Sequence, residues 1–385
     1  MNRFKLILSV LIFSTIFWGV AAHADPPSIG TSSMFSQTCT AHFDHSVRNL
    51  DCGASEDEAR KALSNPDPMK RVAGFRVLKS RMGTKVEEEP LLFHALQNEQ
   101  DDWATGAMAN ALRGESTDRL FLPALHSILL DNRRGPQSVI GTLYAIGRIG
   151  DSSSVQVIAR ILERAKESSV LNGTYGVSSF THALGEIGSP AALPVLRKLA
   201  LVKVPDAPRY TYAYLVVDAL GMIGDPSGVD IALSVLKGPH IMDHVEADAI
   251  DSLGNMKATW TAGIIHPYLN PQKDENARIA AAGALGKLLN PGSLPYLVRA
   301  VQSDDSWEVR RVAARGLGKF KSFDTVESLG GVLLKDTHHL VRQTAAQALG
   351  VIGGSRSKTI LKSALISEKN EMVFSAIRVS LELIR

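Results

Sequence analysis

Apolar residues recur along the chain at helical spacing, and the groups they form recur in turn. Between Asp304 and Gly318, Val309, Ala313 and Leu317 stand four apart, and thirty-two residues later Val341, Ala345 and Leu349 do the same. Such spacing places each trio on one stripe of a helix. Asp304-Asp305-Ser306-Trp307-Glu308-Val309-Arg310 leads into the first stripe, and Asp336 to Arg342 leads into the second. The small alanines let a neighbouring helix come close, and the closing glycine suits a left-handed cap. A second apolar helix follows, as in Val326 to Leu334. Each unit is predicted to be a helical hairpin, too small to bury its apolar face alone.

The last aliphatic of the stripe serves as an anchor. It recurs as Leu78, Leu112, Ile146, Leu184, Leu220, Leu253, Leu285, Leu317, Leu349 and Leu381, in steps of 34, 34, 38, 36, 33, 32, 32, 32 and 32 residues. A pitch this constant predicts an all-α solenoid. The pattern Asp-x-x-x-x-Val-Arg-x-x-Ala-x-x-Ala-Leu-Gly resembles the HEAT-like repeats named after the phycobilin lyases, over about 68–385. That resemblance implies a right-handed stack of hairpins. It implies no single activity, because such arrays serve scaffolds, adaptors and a few enzymes.

Ahead of the array, residues 1–24 read as a signal peptide. Arg3 and Lys5 precede an apolar run from Leu6 to Trp18, and Ala22-His23-Ala24 forms a small-x-small cleavage site. The expected product is exported to a periplasm or secreted, and does not span the membrane. Residues 25–66 form an N-terminal segment with a capping helix, opened by Ser55 and Glu58 as a capping box. The solenoid then runs over 67–385, with Asp67-Pro68 starting its first helix. The two cysteines, Cys39 and Cys52, both lie in the N-terminal segment. In an exported chain they are expected to form a disulfide, worth about 3 kcal/mol. A tetrahedral metal site with His42 and His45 is the alternative.

Charge excludes one class. The chain has 42 basic residues, which become 40 once Arg3 and Lys5 are removed, against 39 acidic. No strongly basic domain stands out, so nucleic acid is not an expected partner.

In the middle of the array the pitch lengthens through insertions at Glu167–Gly176 and Val202–Arg209, which fall on the same edge of the stack. Tyr175, Arg209, Tyr210, Tyr212 and Tyr214 cluster there. Tyrosine suits binding surfaces, so this edge is the candidate partner site. The alternative is that the rings fill contacts between helices.

The arginine seven before the anchor (Arg71, Arg278, Arg310, Arg342) and the aspartate thirteen before it (Asp304, Asp336) are expected to pair between repeats. Treated as partly exposed, each pair is worth about 0–1 kcal/mol. This ladder is interrupted centrally, at Ala213 and Glu246. Phe374 stands in the arginine's place in the last helix and is expected to pack there. A row of second-helix bases, Arg160, Arg197, Lys198, Arg299 and Lys362, could line the inner curve and take an acidic ligand, such as a glycan.

Catalysis finds little support. Deoxyhypusine hydroxylase is similar in repeat architecture and holds iron with His-Glu pairs, but none of the eleven histidines here precedes a glutamate. His240, His244 and Glu246 make only a local trio. His338 and His339 are expected to be exposed. No phosphate-cradling loop or nucleophile set is present, and no cofactor is expected. The sequence is therefore read as a non-catalytic scaffold or adaptor for a protein or peptide partner, with a metal-assisted enzyme as the competing class. A small-molecule substrate is not expected.

Overall fold

The computed structural model describes residues 54–81, 89–164, 174–204, 207–238 and 245–384. The signal-peptide reading at 1–24, the Cys39–Cys52 pair, His42, His45, His240 and His244 lie outside the described residues.

The N-terminal cap forms as its sequence requires. Ser55 accepts from the backbone of Glu58, and Glu58 reaches back to the Ser55 amide, opening α1 (Glu56–Ala62). Helix α2 (Pro68–Arg81) follows, with the Asp67 side chain accepting from the Met69 amide.

Among the described residues, ten first helices and nine second helices then alternate. The first helices are α2, α4 (Asp102–Ala109), α6 (Pro136–Ile149), α8 (Thr174–Ile187), α10 (Ala213–Ile223), α12 (Val245–Asn255), α14 (Glu275–Leu288), α16 (Trp307–Leu317), α18 (His339–Ile352) and α20 (Glu371–Leu383). The second helices are α3 (Glu89–Asn98), α5 (Leu122–Leu130), α7 (Ser154–Arg164), α9 (Leu193–Ala200), α11 (Val229–Lys237), α13 (Ala262–Ile265), α15 (Leu294–Ser303), α17 (Phe323–Lys335) and α19 (Gly354–Ser367). The fold is an all-α solenoid. None of its described helices is long and apolar enough to cross a membrane.

The core is a strip running the length of the stack, with a small satellite of Val217, Val235, Val245 and Ala249 beside its centre. Nine of the ten anchors, Leu78 through Leu349, are 0% exposed, and only Leu381 in the last helix is partly open. Each stripe is thus buried by its neighbours, as the repeat logic requires.

The first helices pack against one another more closely than the second helices do. Glycines make this approach possible. A β-carbon on Gly286 would lie 2.6 Å from the Cα of Gly316 on the next first helix, and one on Gly141 would lie 2.3 Å from the Gly106 carbonyl oxygen. Two layers with unequal spacing curve toward the tighter one. The first helices therefore form the inner face and the second helices the outer face.

This geometry corrects three expectations. The second-helix basic row lies on the outer layer, where Arg197 pairs with Asp230 and Lys198 with Glu163 on neighbouring second helices. The glycine directly after the anchor is not a left-handed cap, since Gly318 has φ −58° and instead admits Ala348 of the next helix. The left-handed residue sits four after the anchor, as Gly150, Gly188, Gly224 and Gly353, and as the non-glycines Lys257 and Leu289 (φ 53° each). Finally, Phe374 does not pack; it is 38% exposed.

In the central insertion, β1 (Lys203–Val204) and β2 (Ala207–Thr211) form a short antiparallel hairpin ahead of α10. The sequence predicts only a proline-bearing loop there. Hydrogen bonding across so short a segment depends on which residues meet, and no alternating apolar pattern announces it.

Candidate functional site

The tyrosine edge divides on inspection. Tyr212 is 3% exposed and Tyr214 is half-buried, both packed into the central core. These two rings fill helix contacts. Arg209 and Tyr210 belong to β2, and Tyr175 to the first turn of α8.

One continuous surface that the fold leaves open is the solvent side of the first helices. Two residues from an anchor is about 200° around a helix, so positions two before and two after the anchor point away from the core, and position six before, about 120° round, flanks them. Successive first helices present these positions side by side, giving a grid whose rows run along the inner face. The grid changes character along the stack.

Over α6 and α8 it is aromatic and polar. The Tyr144 and His182 rings meet edge-on at 5.5 Å, and His182 lies 3.5 Å from Glu186. Over α10 and α12 it is acidic, with Asp218 and Asp251 in the row and Asp248 one turn away. Burial, and then the charges of Asp218 and Asp251, push the Asp248 carboxyl up to about 7. Lys287 on α14 closes this acidic region, reaching Asp251 at 2.6 Å and Asn255 at 2.7 Å. Over α16 the grid is basic, with Arg311, Arg315 and Lys319. Over α18 and α20 it carries amides and apolar groups with one carboxylate. Gln343, Gln347, Glu371, Met372, Ser375, Ala376 and Val379 line a groove there of about 470 Å³.

The sequence reading missed this surface, although its signal was available. Once the anchors are aligned, counting six and two back gives Arg311, Gln343 and Ser375 at steps of 32, then Arg315, Gln347 and Val379 at the same step.

The edge where repeats join carries the arginine ladder. Arg310 donates through Nε and Nη2 to both oxygens of Asp336, at 2.7 and 3.1 Å, while Nη1 donates to the carbonyls of Asp304 and Asp305. Arg278 with Asp304, Arg342 with Glu368 and Arg71 with Glu99 repeat this arrangement. The pairs are far less exposed than the sequence reading assumed, at 10% and 2% for the side chains of Arg278 and Asp304. Buried bidentate pairs of this kind hold loops together and offer no free group to a ligand.

Two further candidates are likewise engaged. Glu246 pairs with Lys273 at 3.3 Å, and Lys273 lies over the Tyr268 ring. His338 and His339 are half-buried, not exposed, and His338 stacks on Trp307 at 4.1 Å. Among the described residues, no three histidine, cysteine, aspartate or glutamate side chains are grouped to hold a metal ion.

The model of the HEAT repeat family matches residues 243–315 and 300–382, so the chain carries HEAT repeats over this stretch. No curated protein matches the chain by sequence. Among solved structures, Kap121p bound to Pho4p is 14% identical with a TM-score of 0.55, covering 85% of this chain and 41% of that one. The CpcE–CpcF complex of phycocyanin lyase from Nostoc sp. PCC7120 is 18% identical with a TM-score of 0.39, covering 68% and 94%. Human deoxyhypusine hydroxylase is 18% identical with a TM-score of 0.31, covering 70% and 98%. At these identities the likeness is one of fold.

Proposed function

We propose that this protein is a non-catalytic scaffold that holds a protein or peptide partner along the inner face of its solenoid. The observation that supports this most directly is the graded grid on the first helices: aromatic, then acidic, then basic, then amide and apolar around a groove. A surface whose chemistry changes stepwise along a stiff support suits an extended chain that presents different side chains in order. The fold is compatible with such a role, since Kap121p, a solenoid of the same kind, is seen bound to another protein. The signal-like pattern at 1–24 supports export to the bacterial envelope as the setting, which mass measurement of the chain recovered from a periplasmic fraction tests.

The function is tested by placing a photo-crosslinking residue on each layer in turn. Gln347 and Met222 report on the inner face, and Thr359 and Arg160 on the outer. Partner capture from the inner positions alone is the expected result. Capture from the outer positions alone overturns the proposal, as does turnover of a small molecule by the purified chain.

A further inference from the structure

Several basic side chains pair with acids across repeats, among them Arg71, Lys79, Arg197, Arg278, Arg310 and Arg342. The grid over α16 is built differently. Among the described residues, no carboxylate lies within ion-pair distance of Arg311, Arg315 or Lys319, which follow one another at four-residue intervals along one stripe. Arg315 and Lys319 are exposed. Arg311 is held in place beneath them, its guanidinium 5.8 Å from the Trp307 ring and its Nε buried without a hydrogen-bond partner. Partial desolvation, and then the charges of Lys287 and Arg315, push the Lys319 ammonium below its usual range. Like charges gathered with no acid among them mark a place where a partner's acid is favoured.

What lies on either side narrows the partner. Toward α18 and α20 the same rows continue as Gln343 and Gln347 and then as Ser375 and Val379, around the groove of about 470 Å³ whose lining Met372 and Glu371 complete. Amides there suit a peptide backbone, and the apolar floor suits a hydrophobic side chain. Toward α12 the grid becomes acidic at Asp251 and Asp248. A uniform polyanion laid along this face would meet those carboxylates, whereas a short acidic stretch would not.

We infer that the inner face over α16–α20 is a docking site for an extended protein segment with a cluster of acidic residues followed, or preceded, by large apolar residues. The acids lie against Arg311, Arg315 and Lys319, and the apolar side chains enter the groove between α18 and α20. Neighbouring helix axes are about 8–10 Å apart. At roughly 3.3 Å per extended residue, acid and apolar positions would be separated by about three to six residues. The inference rests on the inner-face reading above and adds the chemistry of the partner.

The test is fluorescence anisotropy with labelled synthetic peptides and the full chain. One peptide is Glu-Asp-Glu-Ser-Gly-Ser-Leu-Phe-Leu, a second has the order reversed, and a third has lysine at each acid. Expected is binding of the first or second, at least tenfold tighter than the third. The exposed double change Arg315→Glu with Lys319→Glu should weaken it at least tenfold, and Val379→Asp should weaken it severalfold, with circular dichroism unchanged. A chain in which Arg315→Glu with Lys319→Glu binds the acidic peptides as before overturns the inference. Preferred binding of the lysine peptide, lost on Asp218→Asn, overturns it while leaving the inner-face reading in place. Tighter binding of a heparin fragment that ignores Val379→Asp shows a polyanion site and also overturns it. If no peptide binds, the inference fails whatever the crosslinking positions report.

Discussion

Between α14 and α20 each joint between repeats is closed by an arginine seven residues before the anchor, whereas from α4 to α10 that position holds Thr105, Val139, Val177 and Ala213. The central joints lack that side chain and must be secured differently. At the first of them Arg134, from the following loop, reaches back to the Glu99 carbonyl and the Thr105 hydroxyl. Asp102 caps the next first helix, accepting from the amides of Gln137 and Ser138. What the fold demands is that loop carbonyls and amides between repeats find partners. Which side chain supplies them is free to vary, and where the arginine is released the pitch is also free to lengthen. The two regions also differ in the inner face they present, acidic and aromatic in the centre, basic and then largely amide and apolar beyond α14.

The largest expected effect separates the two kinds of joint. Arg310→Ala leaves Asp336 buried without its partner and strips the Asp304 and Asp305 carbonyls, which should cost about 3–5 kcal/mol. Thr105→Val removes one shared hydroxyl and should cost about 1 kcal/mol. Urea unfolding of both variants measures this. Equal losses would mean that the ladder is no stiffer than what replaces it.

The regions should also respond to pH with opposite sign. Asp248 in the centre is raised to about 7, so the folded state holds a proton that the unfolded chain releases near 4. That contribution favours folding at low pH and is lost as pH rises from about 4 to 7. Asp248→Asn should stabilise the protein by about 1–3 kcal/mol at pH 8 and flatten the profile across that window. Glu368 in the ladder behaves inversely. Arg342 holds its carboxyl below the usual range, so its contribution is present above the unfolded value and lost as pH falls through the folded one. Stability measured from pH 3 to 9 should show both limbs, and each substitution should remove only its own.

Helix caps cut across the two regions. Glycine holds the left-handed position after α6, α8, α10 and α18, as Gly150, Gly188, Gly224 and Gly353, whereas Lys257 after α12 and Leu289 after α14 adopt φ 53° with full side chains. A left-handed non-glycine residue costs about 1 kcal/mol, so Leu289→Gly should stabilise by about that amount, and Gly150→Ala should do the opposite. Thermal unfolding resolves shifts of this size.

The repeat register was legible in the sequence because burial of the anchors depends only on local periodicity. Leu78 through Leu349 needed no tertiary information to be found. The capping box at Ser55 and Glu58 was legible for the same reason. The layers were not. Which row of helices is inner depends on how closely Gly286 meets Gly316 compared with the spacing of the second helices, and no single repeat contains that comparison. The tyrosine edge was misjudged at Tyr212 and Tyr214 because a ring at a helix start can face either way until its neighbours are placed. The energy of the ladder was underestimated because the burial of Asp304 is created by the adjoining repeat.

One joint tests whether the two regions differ in kind or only in wording. At α12 the ladder position is Glu246, and the following loop supplies Lys273, so the rung is present with its charges exchanged. It is more open than the arginine rungs, with Lys273 41% exposed at its side chain, and a lysine cannot make the bidentate contact. Either single reversal, Glu246→Lys or Lys273→Glu, should cost about 0.5–1 kcal/mol, and the double exchange should recover most of it. A coupling energy that vanishes in 1 M salt would show that only charge is shared with the ladder. A coupling that survives would show that the joint depends on packing around Tyr268 instead, and the centre would then be a separate device and not a weakened copy.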